Sequence, residues 1–278
     1  MSLSSPFRLL LADVDGTLLT EDKALTLAAS EAIGDLRKAG VTMTIVSSRP
    51  PRGMRMLIEP LGADCEMAGL NGGVYFNPDL SIVRSYKVNA AIAKETVDLL
   101  RSRSVDVWLF TEREWLVHDR NAAHVEREVW ILKFEPTVVD QFSDEQLADA
   151  VKIVGVSDDP TKIADCQAAL VKALDGAASI TSSQVYYIEV TDSLANKGAV
   201  VTSLSVALNI PVADIVTIGD MPTDALMFRK SGFSIAMGNA SDDVKAQASA
   251  VTDSNENDGF AKAVRQYVLC AVRSDQAG

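Results

Sequence analysis

An apolar run that stops on two aspartates constrains this chain more than any other stretch. Leu9–Ala12, within RLLLADVDGTLLT (Arg8–Thr20), has no helical period and reads as a short buried strand. In an open α/β sheet, ligands and chemistry gather at the carboxyl ends of the strands. Here that end carries Asp13-Val14-Asp15-Gly16-Thr17. Two carboxylates at i and i+2 repel and raise one another's pKa. A divalent cation relieves that repulsion, and oxygen-only donors suit Mg²⁺. Gly16 allows a tight turn, and Thr17 supplies a hydroxyl. The same residues also fit a plain strand and turn with two exposed aspartates, so the rest of the chain has to decide.

The next elements build a parallel sheet. Thr26–Ala39 places Leu27, Ile33 and Leu36 at helical spacing and ends at Gly40, which fits a C-cap. Val41–Val46 is β-branched and reads as a second buried strand, stopping at Ser47-Ser48-Arg49 before Pro50-Pro51. Strand, helix, strand makes a parallel βαβ unit, which puts Ser47 on the same edge as Asp13. Met54–Leu61 reads as a short helix. Asn71-Gly72-Gly73 is a turn signal, with Val74–Phe76 and Ser81–Tyr86 flanking it as a hairpin.

From about Ser85 the texture changes. Helices are expected over Ala90–Arg101, Asn121–Trp130 and Pro160–Leu174, and strands over Val105–Phe110, Glu114–Val117 and Lys152–Val156. Ser179–Thr181 and Tyr186–Val190 alternate apolar and polar residues, as half-exposed antiparallel strands do. Trp108, Trp115 and Trp130 all fall here, and their expected role is packing. Residues 85–190 therefore read as an α+β domain inserted into a core made of 1–84 and 191–278. The earlier pattern resumes with a helix over Ala199–Leu208 and a strand over Asp214–Ile218 that ends in Gly219-Asp220-Met221-Pro222-Thr223-Asp224. A helix over Thr223–Lys230, a strand over Phe233–Met237 before Gly238-Asn239-Ala240, and a closing helix over Asp258–Val272 complete it.

At 278 residues the chain is long for one core, which agrees with a large domain plus a smaller one. A formal net charge of −12 lacks the basic footprint of a nucleic-acid or anionic-membrane partner. It does not exclude a phosphorylated substrate, because a bound metal inverts the field locally. No apolar run approaches the length of a membrane span, and Met1–Leu11 holds no leader or cleavage pattern. Cys65, Cys166 and Cys270 are widely spaced without a CxxC, which points to reduced thiols in the cytoplasm rather than disulfides or zinc. With His118 and His124 the only histidines, both expected to be exposed, histidine-based metal or triad chemistry is disfavoured. No long apolar stripe specifies an oligomeric state.

Four polar features thus fall at element ends of one doubly wound sheet, in the order Asp13/Asp15, Ser47, Lys197, Asp220/Asp224. With the flanking words DGTLL, SSRP, NGG, NKG, GDMPTDALMF and AMGNA, the chain resembles the haloacid dehalogenase (HAD) superfamily of phosphohydrolases, in its Cof-type branch, subfamily IIB. The resemblance covers nearly the whole chain. It implies an α/β fold with a Rossmann-like, doubly wound parallel core, and it makes the inserted α+β segment look like a C2B cap. The activity it implies is Mg²⁺-dependent hydrolysis of a small phosphomonoester, a sugar phosphate or similar metabolite, through an aspartyl-phosphate. By the same resemblance Asp13 is the nucleophile, and Asp15 is the general acid for the leaving alkoxide and then the base for water. Mg²⁺ would be held by Asp13, the Asp15 backbone carbonyl and Asp220. Ser47 and the Ser48 N–H would grip phosphate oxygens, Lys197 would neutralise them, and Asp224 would support the metal shell or Lys197. Two positions depart from the branch. Ser48 stands where glycine is usual, and Thr223 stands where asparagine commonly helps place phosphate. Altered phosphate affinity is expected from these, with activity retained.

Taken singly, several of these residues have plainer readings. Ser47 can simply end a strand, and Asp220 and Asp224 can be an N-cap and a first-turn acid. Lys197 at a helix start sits where a cation is disfavoured, so it calls for a partner. Asn71 and Asn239 read equally as turn residues or as neighbours of the site, and Arg49 either orients substrate or pairs with surface acids. Two other functions use the same residues. Phosphoryl transfer to a sugar, as in phosphomannomutases with a similar cap, needs an acceptor hydroxyl that outcompetes water at Asp13. A phosphometabolite sensor is invited only by Thr223 and Ser48, and it has no use for the Asp13/Asp15 pair.

Overall fold

Leu9–Ala12 is a strand in which all four residues are fully buried, and it sits inside a five-stranded sheet. The structure, a computed structural model, describes residues 3–271. They divide into two units, one holding the residues up to Ser47, Leu57–Met67 and those from Lys197 onward, the other holding Ser48–Met56 and Ala68–Asn196.

In the first unit the sheet runs Ala250–Val251, Phe233–Ala236, Ile215–Gly219, Leu9–Ala12, Thr42–Ile45, and every neighbouring pair is parallel. Strands buried on both faces need no polar alternation, which is why LLLA is a continuous apolar run and IVTIG is broken only by buried Thr217. All the strands point the same way, so Asp13, Ser47 and Asp220 emerge at one edge. The ladder continues into that edge through Asp13 N–H to Ile218 O, Val46 N–H to Ala12 O and Met237 N–H to Gly219 O. Leu27–Lys38 follows Thr26, whose hydroxyl caps Ala29 N–H, and the chain leaves at Gly40 with φ +76°. Pro51 opens the next helix, Pro51–Leu61, at a position where no N–H is needed.

The second unit holds a six-stranded sheet in the order Ala178–Thr181, Tyr187–Asp192, Lys152–Val156, Asp106–Phe110, Trp115–Val117, Thr137–Val138. It is antiparallel except for the last pair. One face packs Val107, Leu109, Ile153, Ile188 and Val190 against Val97, Leu100, Ile163 and Leu170 of the helices Ala90–Ser102 and Pro160–Leu174. The other packs Trp108, Phe110, Trp115, Val154 and Tyr187 against Val125 and Leu132 of the helix Val125–Leu132 and against Leu70.

This second layer corrects one expectation. Tyr187–Asp192 is not half-exposed; Tyr187 to Thr191 are buried throughout, because the polar face of the alternation is covered as well. The helix expected from Asn121 begins only at Val125, since His124 takes a left-handed φ of +66°. Neither histidine is exposed. His118 Nδ1 bonds Val139 O with its ring on Phe142, and His124 meets Asp158 and stacks on Tyr186. The hairpin turn is not Asn71-Gly72-Gly73 but Asn77–Leu80, which joins Val74–Phe76 to Ile82–Ser85. The helix after Asp224 is short, Ala225–Phe228. The closing helix covers Gly259–Ala263, widens into a π turn over Val264–Val268, and gives way to Cys270–Ala271, paired antiparallel with Leu3–Ser4. Val272 and the Cys270 side chain lie outside the described residues, and Cys65 and Cys166 are free.

Candidate active site

Asp13, 4% exposed, leaves the strand Leu9–Ala12 with its side chain facing the first residue of the helix Lys197–Leu208. Lys197 Nζ lies 2.5 Å from Asp13 Oδ1 and 2.6 Å from Asp224 Oδ1. A cation buried at a helix start is doubly disfavoured, so these two carboxylates are what keep it there. Asp224 Oδ2 accepts the Asp220 and Met221 N–H groups at 2.9 and 2.8 Å, which folds the loop back on itself. Asp224 stands at the N-cap position of Ala225–Phe228 but makes no side-chain cap there. Asp220 Oδ1 accepts from the Thr17 hydroxyl at 2.8 Å, and Oδ2 from Asn239 Nδ2 at 3.3 Å. Asn239 also donates to Gly16 O, and its own Oδ1 accepts Asn255 N–H.

Glycine is required at Gly16. Its φ is +85°, and a Cβ there would lie 2.5 Å from Asp220 Oδ2.

The charges do not balance in this buried space, because the carboxylates of Asp13, Asp220 and Asp224 face one ammonium. Burial raises the Asp13 pKa well above the ordinary value; Lys197 opposes the rise, and Asp224 and Asp220 add to it. Burial, then Asp224, carries Asp220 up to about 7. Burial alone would lower Lys197, but Asp13 and Asp224 outweigh it and hold the ammonium firmly protonated.

Oxygens of Asp13, Asp220 and Asp224 lie within 4.8 Å of one another, a group able to hold a metal ion. The hydrogen bonds divide this group. Asp224 already spends both oxygens on Lys197 and two N–H groups, whereas Asp13 meets Lys197 through Oδ1. Asp220 accepts one neutral donor on each oxygen, and Asp13 meets Lys197 through one oxygen, so these two keep lone pairs for a cation. An all-oxygen, buried set with excess negative charge fits a hard divalent ion.

The remaining expected residues divide between the two units. Ser47 is buried beyond Thr42–Ile45, and Thr223 is buried in the Asp220–Asp224 loop. Asp15 is partly exposed, with Lys23 Nζ 2.8 Å from its Oδ1. Ser48, Arg49 and Asn71 belong to the second unit. Ser48 O accepts from Lys152, buried Arg49 donates to Gly53 O and Ile131 O, and Asn71 donates to Glu189. Sequence reasoning overlooked Lys23 and Asn255. Lys23 follows Glu21-Asp22 and looks like one more solvated charge; its left-handed φ of +59° leaves no trace in the sequence.

Residues 10–264 match the haloacid dehalogenase-like hydrolases. A Bacillus subtilis 5-amino-6-(5-phospho-D-ribitylamino)uracil phosphatase, YwtE, is 28% identical, over 92% of this chain and 96% of its own length. An HMP-PP phosphatase from Cronobacter sakazakii is 26% identical over 82% of this chain and 83% of its own. Among solved structures, a haloacid dehalogenase-like hydrolase from Bacteroides thetaiotaomicron superposes with a TM-score of 0.83 at 22% identity, covering 94% of this chain and 99% of that one. A HAD subclass IIB sugar phosphatase gives 0.81 at 20% identity, over 94% and 98%.

Proposed function

The chain belongs to the haloacid dehalogenase-like hydrolases, and from that premise we propose that it is a Mg²⁺-dependent phosphatase of a small phosphomonoester, a sugar phosphate or similar metabolite. The observation that carries the reading is Lys197 bridging Asp13 and Asp224 while Asp220 joins them in one buried carboxylate group able to hold a metal ion. Named phosphatases of small phosphorylated compounds among the relatives support the substrate class. Residues 85–190 act as the cap that shuts out bulk water, and the free Cys65 and Cys166 suit a reducing, cytoplasmic setting.

Asp13 and Asp220 would hold Mg²⁺, which when bound offsets negative charge on carboxylate and phosphate. Lys197 orients Asp13 by its Oδ1, and a carboxylate oxygen of Asp13 attacks phosphorus. As the phosphorus–oxygen bond to the leaving group breaks, Asp15 gives that oxygen its proton. Water then attacks the aspartyl-phosphate, passes its proton to Asp15 and releases Asp13. Ser47 and the Ser48 N–H bind the phosphate oxygens, and Lys197 neutralises their growing charge.

The test is phosphate release from p-nitrophenyl phosphate and a panel of phosphorylated metabolites, with and without Mg²⁺, for wild type and Asp13→Asn. Metal-dependent release that the variant lacks is the expected result. Isomerised sugar phosphate in place of free phosphate would instead favour transfer.

A further inference from the structure

The second unit contains a buried charge pair for which the proposed chemistry has no use. Lys152 and Glu189, 4% and 2% exposed, lie on adjacent antiparallel strands, with Lys152 opposite Thr191 and Glu189 opposite Val154. They are therefore diagonal neighbours on one face. Glu189 is fully engaged: Oε2 accepts Asn71 Nδ2 at 2.9 Å, and Oε1 accepts Ser183 Oγ at 3.0 Å and Lys152 Nζ at 3.2 Å. Yet the ammonium is nearer to something else. Its shortest bond, 2.8 Å, goes to the backbone carbonyl of Ser48.

That carbonyl has an unusual need. In a turn, the N–H groups two and three residues further on ordinarily satisfy such an oxygen, and here those residues are Pro50 and Pro51, which have none. Arg49 O is served from outside the segment too, by Leu70 N–H. The segment after Ser47 is thus held by donors from elsewhere, and at Ser48 the donor carries a full charge that makes the bond stronger than a neutral one. Fixing the Ser48 carbonyl fixes the peptide plane next to the Ser48 N–H. It also keeps the carbonyl lone pairs from turning toward an anion.

We infer that Lys152, held by Glu189 and Asn71, is a positioning residue that sets the Ser47–Ser48 loop for phosphate. The inference rests on the phosphatase reading, which assigns phosphate to that loop.

The test compares wild type with two variants that lack the ammonium, Lys152→Met/Glu189→Gln and Lys152→Gln, and uses Lys152→Arg as a rescue. The double variant removes both charges together, which avoids stranding one of them. Inhibition by inorganic phosphate, the Mg²⁺ activation constant and thermal melting are measured for each. The phosphate inhibition constant is expected to rise about tenfold, the loss of one charged hydrogen bond. The Mg²⁺ constant should stay put, and Lys152→Arg should recover part of the loss. A wild-type phosphate constant in either folded variant overturns the inference, as does a parallel shift of the Mg²⁺ constant, which marks general loosening. A wild type with neither Asp13-dependent turnover nor phosphate binding overturns the phosphatase reading instead, and the inference with it.

Discussion

Replacing Lys197 with methionine would strand the Asp13 and Asp224 carboxylates against each other without a counter-charge. Breaking a buried pair in this way costs about 3–5 kcal/mol. We predict a clear fall in the denaturation midpoint together with loss of phosphate release, whereas Asp13→Asn should lose release while the protein stays folded. Gly16→Ala is a subtler probe. A left-handed φ and a Cβ 2.5 Å from Asp220 Oδ2 mean that the turn or the carboxylate must move. The expected result is a weaker Mg²⁺ constant with a stability cost of roughly 1 kcal/mol; an unchanged metal constant would contradict the placement of Asp220 in the metal site. At this scale the sequence was informative about Lys197, whose place at a helix start called for a partner and which meets Asp13 and Asp224. It was silent on Lys23 and Asn255, whose partners arise only from how loops fold over the strand ends.

Helix and strand propensities act over several residues, and there the expectation and the structure agree best where a cap and a period coincide. Pro160–Leu174 has Asp159 as N-cap and Pro160 at its first position, and its expected bounds match the structure. Thr26 plays the same part for Leu27–Lys38 and in addition donates to Asp258. Thr26→Ala should cost about 1 kcal/mol, seen as a melting temperature lower by about 2–4 °C. KM should not change, since the Thr26 hydroxyl bonds Ala29 N–H and Asp258 and not Asp13, Asp220 or Asp224. Other elements were illegible for physical reasons. Ala250–Val251 is two residues long and owes its strand conformation to pairing with Phe233–Ala236. Tyr187–Asp192 looks amphipathic until a second layer buries Glu189 through an ion pair.

The whole molecule registers the site through its dependence on protons and metal. Asp220 has a folded pKa of about 7 against an ordinary 3.8, so between those values the native state binds more protons than the unfolded one. Without metal, this group's contribution to stability is therefore present at acid pH and is lost as pH rises through about 7. A cation competes with that proton. Mg²⁺ should accordingly raise the melting temperature more at about pH 8 than at about pH 5.5, and chelation should reverse the gain; an equal gain at both would argue against Asp220 as a ligand. The sheet itself has a further consequence, which concerns the ribosome. Leu9–Ala12 pairs on one side with Thr42–Ile45, available early, and on the other with Ile215–Gly219, translated far later. At synthesis rates of roughly 5–20 residues per second, the gap of about 200 residues lasts on the order of 10–40 s. For that interval a nascent, wholly apolar strand has an open edge, the kind of surface that invites aggregation. Its partner emerges only after the residues of the second unit, so this strand waits for nearly the whole inserted unit before its second edge is covered.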